Sequence, residues 1–205
     1  CDTEIEKLLN ELTKDKDKHD SVNPPKKIKS HNKPEIEDLH GKLLMLTNGV
    51  DISVLPGLSD LSFMQLISEL GINMDRWKSS KHFVSWLNLA PNISSSGKSK
   101  KKKKKKGFNY AGQIFREAAL RGGNSKFLSI SSFYKRIRAR SGAKVANVAT
   151  ARKIAILFYN LLKHGLNYVE EGIEKAEKKF RERSIKSMEK RALDMGLKVS
   201  FQTIR

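Results

Sequence analysis

The sequence predicts an all-α protein. Three observations carry that expectation. Apolar residues recur at helical spacing along most of the 205 residues. Glycine and proline punctuate the periodic segments. Strand-like alternation is weak everywhere, with Lys198–Thr203 the only candidate. The expected order is a helical linker or coiled-coil pair over residues 1–50, a multi-helix domain over 51–167 that contains a helix-hairpin-helix, and a charged C-terminal helix and tail over 168–205.

Ile5, Leu8, Leu9 and Leu12 recur at i, i+3, i+4 and i+7, one apolar face of a short helix. Periodicity then disappears from Thr13 to Pro34, where Lys-Asp repeats and Pro24-Pro25 read as a solvated linker or hairpin tip. Ile36, Leu39, Leu43 and Leu46 give a second helix. The two could pair antiparallel, form a coiled-coil stalk, or pack on a common core. Leu55-Pro-Gly-Leu-Ser-Asp60 breaks the chain before an apolar helix over 61–70, closed by Gly71. Phe83, Trp86 and Leu87 share a face of the next helix, which Pro91 stops. Helices follow over 110–120, ending at Gly122-Gly123, and over 131–140, ending at Ser141-Gly142. Residues 143–164 give the strongest helical signal in the chain, with Gly165 after it. From about 168 to 195 a charged helix carries a sparse apolar stripe (Ile173, Ala176, Phe180, Met188, Ala192, Met195), which suits a surface or partner helix.

Charge is the dominant compositional feature. Lys and Arg number 41 against 22 Asp and Glu, a net +19. Between Ser95 and Gly165 there are 19 Lys and Arg and a single acid, Glu117. Nearly all the net charge is therefore concentrated there, which points to a binding surface for a polyanion, nucleic acid first. One cysteine, Cys1, excludes a disulfide framework and a zinc-finger spacing and fits a reducing cytoplasm. No apolar run reaches about 18 residues, so no membrane partner or spanning helix is expected. No secretory signal is visible, and the chain opens on Cys1, as a fragment would.

Four motifs carry chemistry, each with a plainer alternative. Pro56-Gly57 between two short helices could aim backbone N–H groups at a DNA phosphate, with Ser59 as a further donor, or could be an ordinary inter-helix turn. Lys98 and the unbroken run Lys100, Lys101, Lys102, Lys103, Lys104, Lys105 and Lys106 could bind phosphates without reading sequence, or could be a solvated flexible tail. Phe108 and Tyr110 follow this run without interrupting it. Ser94-Ser95-Ser96-Gly97 is ordinary loop composition, yet a hydroxyl held among cations could attack a phosphodiester. The five histidines show no spacing of a catalytic base or metal site. Finally, small residues at 143, 146, 149 and 151 permit close approach by a helix or a DNA backbone, with Arg152 and Lys153 on the same helix.

The order of these motifs resembles the C-terminal half of the Piv-type bacterial insertion-sequence transposases, which pair an N-terminal DEDD nuclease-like domain with a C-terminal serine-bearing domain. Leu55-Pro-Gly-Leu-Ser59 is similar to the family's Ile-Pro-Gly-Ile-Gly, with Ser59 in place of the second glycine. Trp77 to Pro91 is similar to its Phe-x-Ser-x-x-x-Leu-x-x-Tyr-x-Gly-Leu-x-Pro, and Ser95-Ser96-Gly97 to its Ser-Ser-Gly. Gly142 to Ile154 is similar to its Gly-Lys-Lys-x-Ala-x-Val-Ala-x-Ala-Arg-Lys-Leu, and Lys190 to Gly196 to its C-terminal tail. The lysine run is longer than the family's few basic residues. Phe108-Asn-Tyr-Ala-Gly112 replaces Ile-Thr-Lys-x-Gly, and Arg116 stands one place off the usual arginine.

The resemblance implies that Ser96, with Ser95 as the fallback, is a nucleophile on DNA. It implies DNA contacts at Pro56, Gly57, Ser59, the lysine run, Arg116, Lys144, Arg152 and Lys153. No cofactor or metal is expected in this chain; Mg²⁺ is expected in an N-terminal domain preceding Cys1, without which this fragment alone should be inactive. The helices before residue 50 would support a homo-oligomer. DNA is the expected partner, with a guide RNA as a further candidate, in a bacterial or archaeal cytoplasm at the nucleoid. The rival expectation is a non-catalytic nucleic-acid-binding helical protein or an inactive transposase remnant.

Overall fold

The computed structural model describes residues 2–19, 34–90, 93–96, 99–102, 107–125 and 128–197. Helices dominate, as the periodicity predicts. In chain order they are α1 (Asp2–Thr13), α2 (Leu39–Leu46), α3 (Asp60–Leu70), α4 (Ser80–Trp86), α5 (Tyr110–Gly123), α6 (Leu128–His164) and α7 (Leu166–Asp194). Short 3₁₀ turns at Ile52–Val54 and Met74–Arg76 lead into α3 and α4.

Local chemistry sets the helix starts. The Asp38 carboxylate accepts from the Gly41 amide at 3.1 Å, Ser59 Oγ from the Ser62 amide at 3.3 Å and Asn109 Oδ1 from the Gly112 amide at 2.7 Å. Each satisfies an amide that the first turn leaves without a helical partner. The periodicity predicts a second helix from Ile36; the helix begins at Leu39, where Asp38 caps it.

Leu9, Leu39, Leu43 and Leu46 are buried in one cluster that runs on through α3 to α7. The first two helices thus pack on the common core. Glu6 and Lys42 tie them together at 2.8 Å, and His40 Nδ1 lies 3.0 Å from Asp60 Oδ1 on α3. At the centre, Phe83 meets Trp77, Phe115, Phe158 and Tyr159, with ring centroids 4.9 to 6.4 Å apart. The Tyr159 hydroxyl donates to the Trp77 carbonyl at 3.0 Å, so this buried phenol keeps a partner. Ala111, Ala118 and Ala119 of α5 and Ala146, Ala151 and Ala155 of α6 are all essentially inaccessible. Small side chains of this kind let two helices approach closely; of the small residues after Gly142, Ala146 and Ala151 are buried in packing, Ala149 is half-buried and Ala143 is exposed.

The helical run of α6 is two helices in one. Gly142 has φ 82° and ψ 167°, a conformation essentially restricted to glycine. Lys153 Nζ donates to the Ser129 carbonyl at 3.0 Å across 24 residues. A straight helix would hold those residues roughly 36 Å apart. The chain therefore folds back at Gly142 into two antiparallel arms, at the break the sequence marks.

One element departs from the sequence reading. Ser94–Gly97 reads as loop, and the lysine run as either a phosphate-binding block or a solvated flexible tail; β1 (Ile93–Ser96) pairs antiparallel with β2 (Ser99–Lys102). The register explains why the lysines tolerate it. Lys102, Lys101 and Lys100 stand opposite Ile93, Ser94 and Ser95, so no like charges oppose each other across the ladder. The strand candidate Lys198–Thr203 lies outside the described residues.

Candidate nucleic-acid interface

The serine hairpin springs from a clamped base. Asn88, at the end of α4, has φ 57°, in the left-handed region that asparagine tolerates better than most residues. Its side-chain amide donates to the Gly107 carbonyl at 2.8 Å. Asn109 Nδ2 donates to the Trp86 carbonyl at 3.2 Å, and Arg116 Nη2 to the Asn88 carbonyl at 3.1 Å. Three bonds thus join the chain entering the hairpin to the chain leaving it. The pairing ends at Ser96 opposite Ser99, with Ser95 opposite Lys100. Opposed Cα atoms in such a ladder are about 4.5–5.5 Å apart, so the serine strand runs directly alongside a basic one.

Trp86, Phe108 and Tyr110 stand at this base, and all three are exposed, Phe108 most of all at 81%. Exposed flat rings of this kind are surfaces on which nucleic-acid bases can stack.

The other expected contacts divide. Pro56 is buried and Gly57 half-buried. Gly57 has φ 80° and lies so close to the Ala118 carbonyl and the Gly122 amide of α5 that it has no room for a side chain. The turn therefore has a structural role of its own. Ser59 caps α3, and its hydroxyl lies 3.0 Å from that of Ser62, which Arg121 Nη2 approaches at 3.4 Å. Arg116 pins the hairpin base. Lys144 is exposed and Arg152 half-buried. Lys153 is drawn into a cavity with Arg136 and α7, and burial, then the Arg136 charge, holds its ammonium below the usual lysine range. Lys98 and Lys103 to Lys106 lie outside the described residues, as does Gly97.

Among the described residues no group of three or more His, Cys, Asp or Glu side chains is placed to hold a metal ion. Also among the described residues, no helix is long and apolar enough to cross a membrane.

Asn88, Asn109 and Arg121 carry no role in the sequence analysis, and Trp86 stands there only as part of an apolar helix face. Asn109 carried a signal, since Asn before a periodic segment is a helix cap. Asn88 carried none, because its role depends on a partner 19 residues away.

A clamped, basic, serine-bearing hairpin on a helical core is an arrangement suited to a nucleic-acid strand. Residues 51–135 match the model of the Transposase IS116/IS110/IS902 family, a stretch that holds the Pro-Gly turn, the hairpin and α5. The match supports an insertion-sequence transposase, and hence a DNA-modifying enzyme with DNA as its partner. No curated protein and no solved structure matches the chain.

Proposed function

We propose that this chain is the C-terminal, serine-bearing part of a Piv-type DNA transposase or site-specific recombinase, and that Ser96 is its nucleophile. The observation that carries the reading is the register of the hairpin, which ends on Ser96 and runs the serine strand beside Lys100, Lys101 and Lys102. Cations along one strand hold a phosphodiester and offset the charge that builds on its oxygens during attack.

The step balances without an external reactant. Ser96 Oγ bonds to phosphorus while the bond from phosphorus to one sugar oxygen breaks. The serine proton leaves to solvent, and the departing sugar oxygen takes one up as a hydroxyl. The strand end is held as a phosphodiester to serine, and attack by another sugar hydroxyl reverses the step. A preformed hairpin supports this because positioning the reacting groups lowers the barrier before chemistry begins.

The neighbouring groups take binding roles. Trp86, Phe108 and Tyr110 stack bases; Ser59, Arg121 and Lys144 contact phosphates; Arg116 acts through the hairpin base as a positioning residue. The same basic surface accommodates a guide RNA. A homo-oligomer forms through α1 and α2.

In the full-length protein, Ser96→Ala should abolish strand transfer while DNA affinity stays within about twofold, because one neutral hydroxyl contributes little to phosphate binding. Ser95→Ala should retain transfer. Full transfer by Ser96→Ala would overturn the assignment, and loss in Ser95→Ala alone would move it one residue.

A further inference from the structure

We propose that the cavity enclosed by the two arms of α6 and by α7 binds a phosphate of a single nucleic-acid strand, at a site separate from the serine hairpin. The inference rests on reading the chain as a nucleic-acid-binding protein, but not on Ser96.

The cavity has a volume of about 200 Å³, well beyond what one water needs. Three helical surfaces build it. From the first arm of α6, Ser129, Ser132, Phe133 and Arg136 line it at i, i+3, i+4 and i+7. From α7, Ala176, Lys179, Phe180 and Arg183 repeat that spacing. Lys153 of the second arm closes the floor. The fold at Gly142 is what lets positions 129 and 153 of one helical run meet.

Four cations therefore converge, and none of the lining residues is acidic. The absence is not a matter of composition. Glu171, Glu174, Glu177 and Glu182 lie on α7 within a few residues of the cavity, yet the face turned to it carries only Lys179 and Arg183 as charges. Helical spacing alone sorts the two signs.

Positive charges are also held near one another here. The Phe133 ring has the Arg136 guanidinium 5.7 Å from its centroid and the Lys153 ammonium 5.1 Å away. The ring face attracts both cations, but the cations repel each other. Lys153 donates to the Ser129 carbonyl, a neutral acceptor. Its lowered pKa follows from burial first and then from Arg136. An anion seated among these groups reverses both effects. It supplies the opposite charge that the cavity walls lack, and it accepts charge-assisted hydrogen bonds from guanidinium and ammonium groups. Phe133 and Phe180 give the attached nucleotide apolar walls, which suits a phosphate carried on a strand.

The test uses the whole chain, labelled with ¹⁵N, and three probes: inorganic phosphate, a short 5′-phosphorylated oligothymidylate, and the same oligonucleotide without its terminal phosphate. Amides of residues 129–136, 153 and 176–183 should shift and saturate with inorganic phosphate and with both oligonucleotides. Arg136 and Arg183 are exposed, so glutamine at either position should leave the fold intact. Arg136→Gln or Arg183→Gln should weaken binding at these amides by about tenfold, the loss of one charge-assisted contact. Ser96→Ala should change nothing there. Saturation with inorganic phosphate while both oligonucleotides leave these amides unmoved would overturn the proposal in favour of a small free anion. Oligonucleotide binding that shifts only the hairpin would overturn it and leave the transposase reading standing. No oligonucleotide binding anywhere on the chain would overturn both.

Discussion

Gly57 shows how one residue serves the fold while resembling a DNA contact. Its φ of 80° is costly for any other residue, and a methyl group there would collide with the Ala118 carbonyl of α5. Gly57→Ala should therefore lower stability by at least ~2 kcal/mol, from backbone strain plus the displaced helix. Chemical denaturation checks this. A variant that keeps its stability and loses only DNA affinity would show that the turn binds phosphate and does not pack. Ser96 is the opposite case: an alanine there removes one hydroxyl from a strand end and should leave the unfolding midpoint unchanged. Arg116 lies between them. Its bond to the Asn88 carbonyl fixes the hairpin base, so Arg116→Lys, which keeps the charge and loses the planar fork, should not restore the clamp.

Among the elements, α1 and α2 are joined at their surface by the bond between Lys42 and Glu6 and by the Glu37 amide, which donates to Glu6 at 2.9 Å. The Lys42 bond first, then the Glu37 amide, holds the Glu6 carboxyl below its usual range. A depressed pKa stabilises the folded state above the unfolded value, and that contribution disappears as pH falls through the folded one. Glu6→Gln should thus lower the melting temperature near neutrality and converge with the parent in acid. A gap that persists at low pH would contradict the linkage.

The same helices leave Leu8 and Leu12 exposed, at 52% and 61%. They border an apolar groove of about 460 Å³ with Leu43, Leu46, Met64 and Ile67. If a second copy covers this groove, Leu8→Glu with Leu12→Glu should lower the mass measured by light scattering. An unchanged mass would remove α1 from the interface.

Much of this was legible in the sequence, for a physical reason. Helical periodicity, caps and glycine breaks are local, so the segments over 61–70, 110–120 and 143–164 could be read one at a time. The β1–β2 pairing was not legible. Serine and lysine have weak strand preference, and only the register, which sets each lysine against a neutral residue, makes the pairing tolerable. The Asn88 and Arg116 clamp joins residues 28 apart, a contact no spacing rule encodes. The stripe at 129, 132, 133 and 136 and the one at 176, 179, 180 and 183 were both present as patterns. Their meeting depends on the turn at Gly142 and the packing of α7, which periodicity does not give.

For the whole molecule, the segregation of charge is the organising fact. The net +19 arises almost entirely between residues 95 and 165, and among the described residues that stretch holds the β1–β2 pair, α5 and the two arms of α6. The central claim is chemical, and the most direct measurement is to trap it. The full-length protein would be quenched during reaction with a DNA substrate, digested, and the DNA-linked peptide sequenced by mass spectrometry. An adduct on Ser96 is expected. Active protein that yields no adduct, or one whose adduct maps to a residue other than Ser96, would contradict the nucleophile assignment.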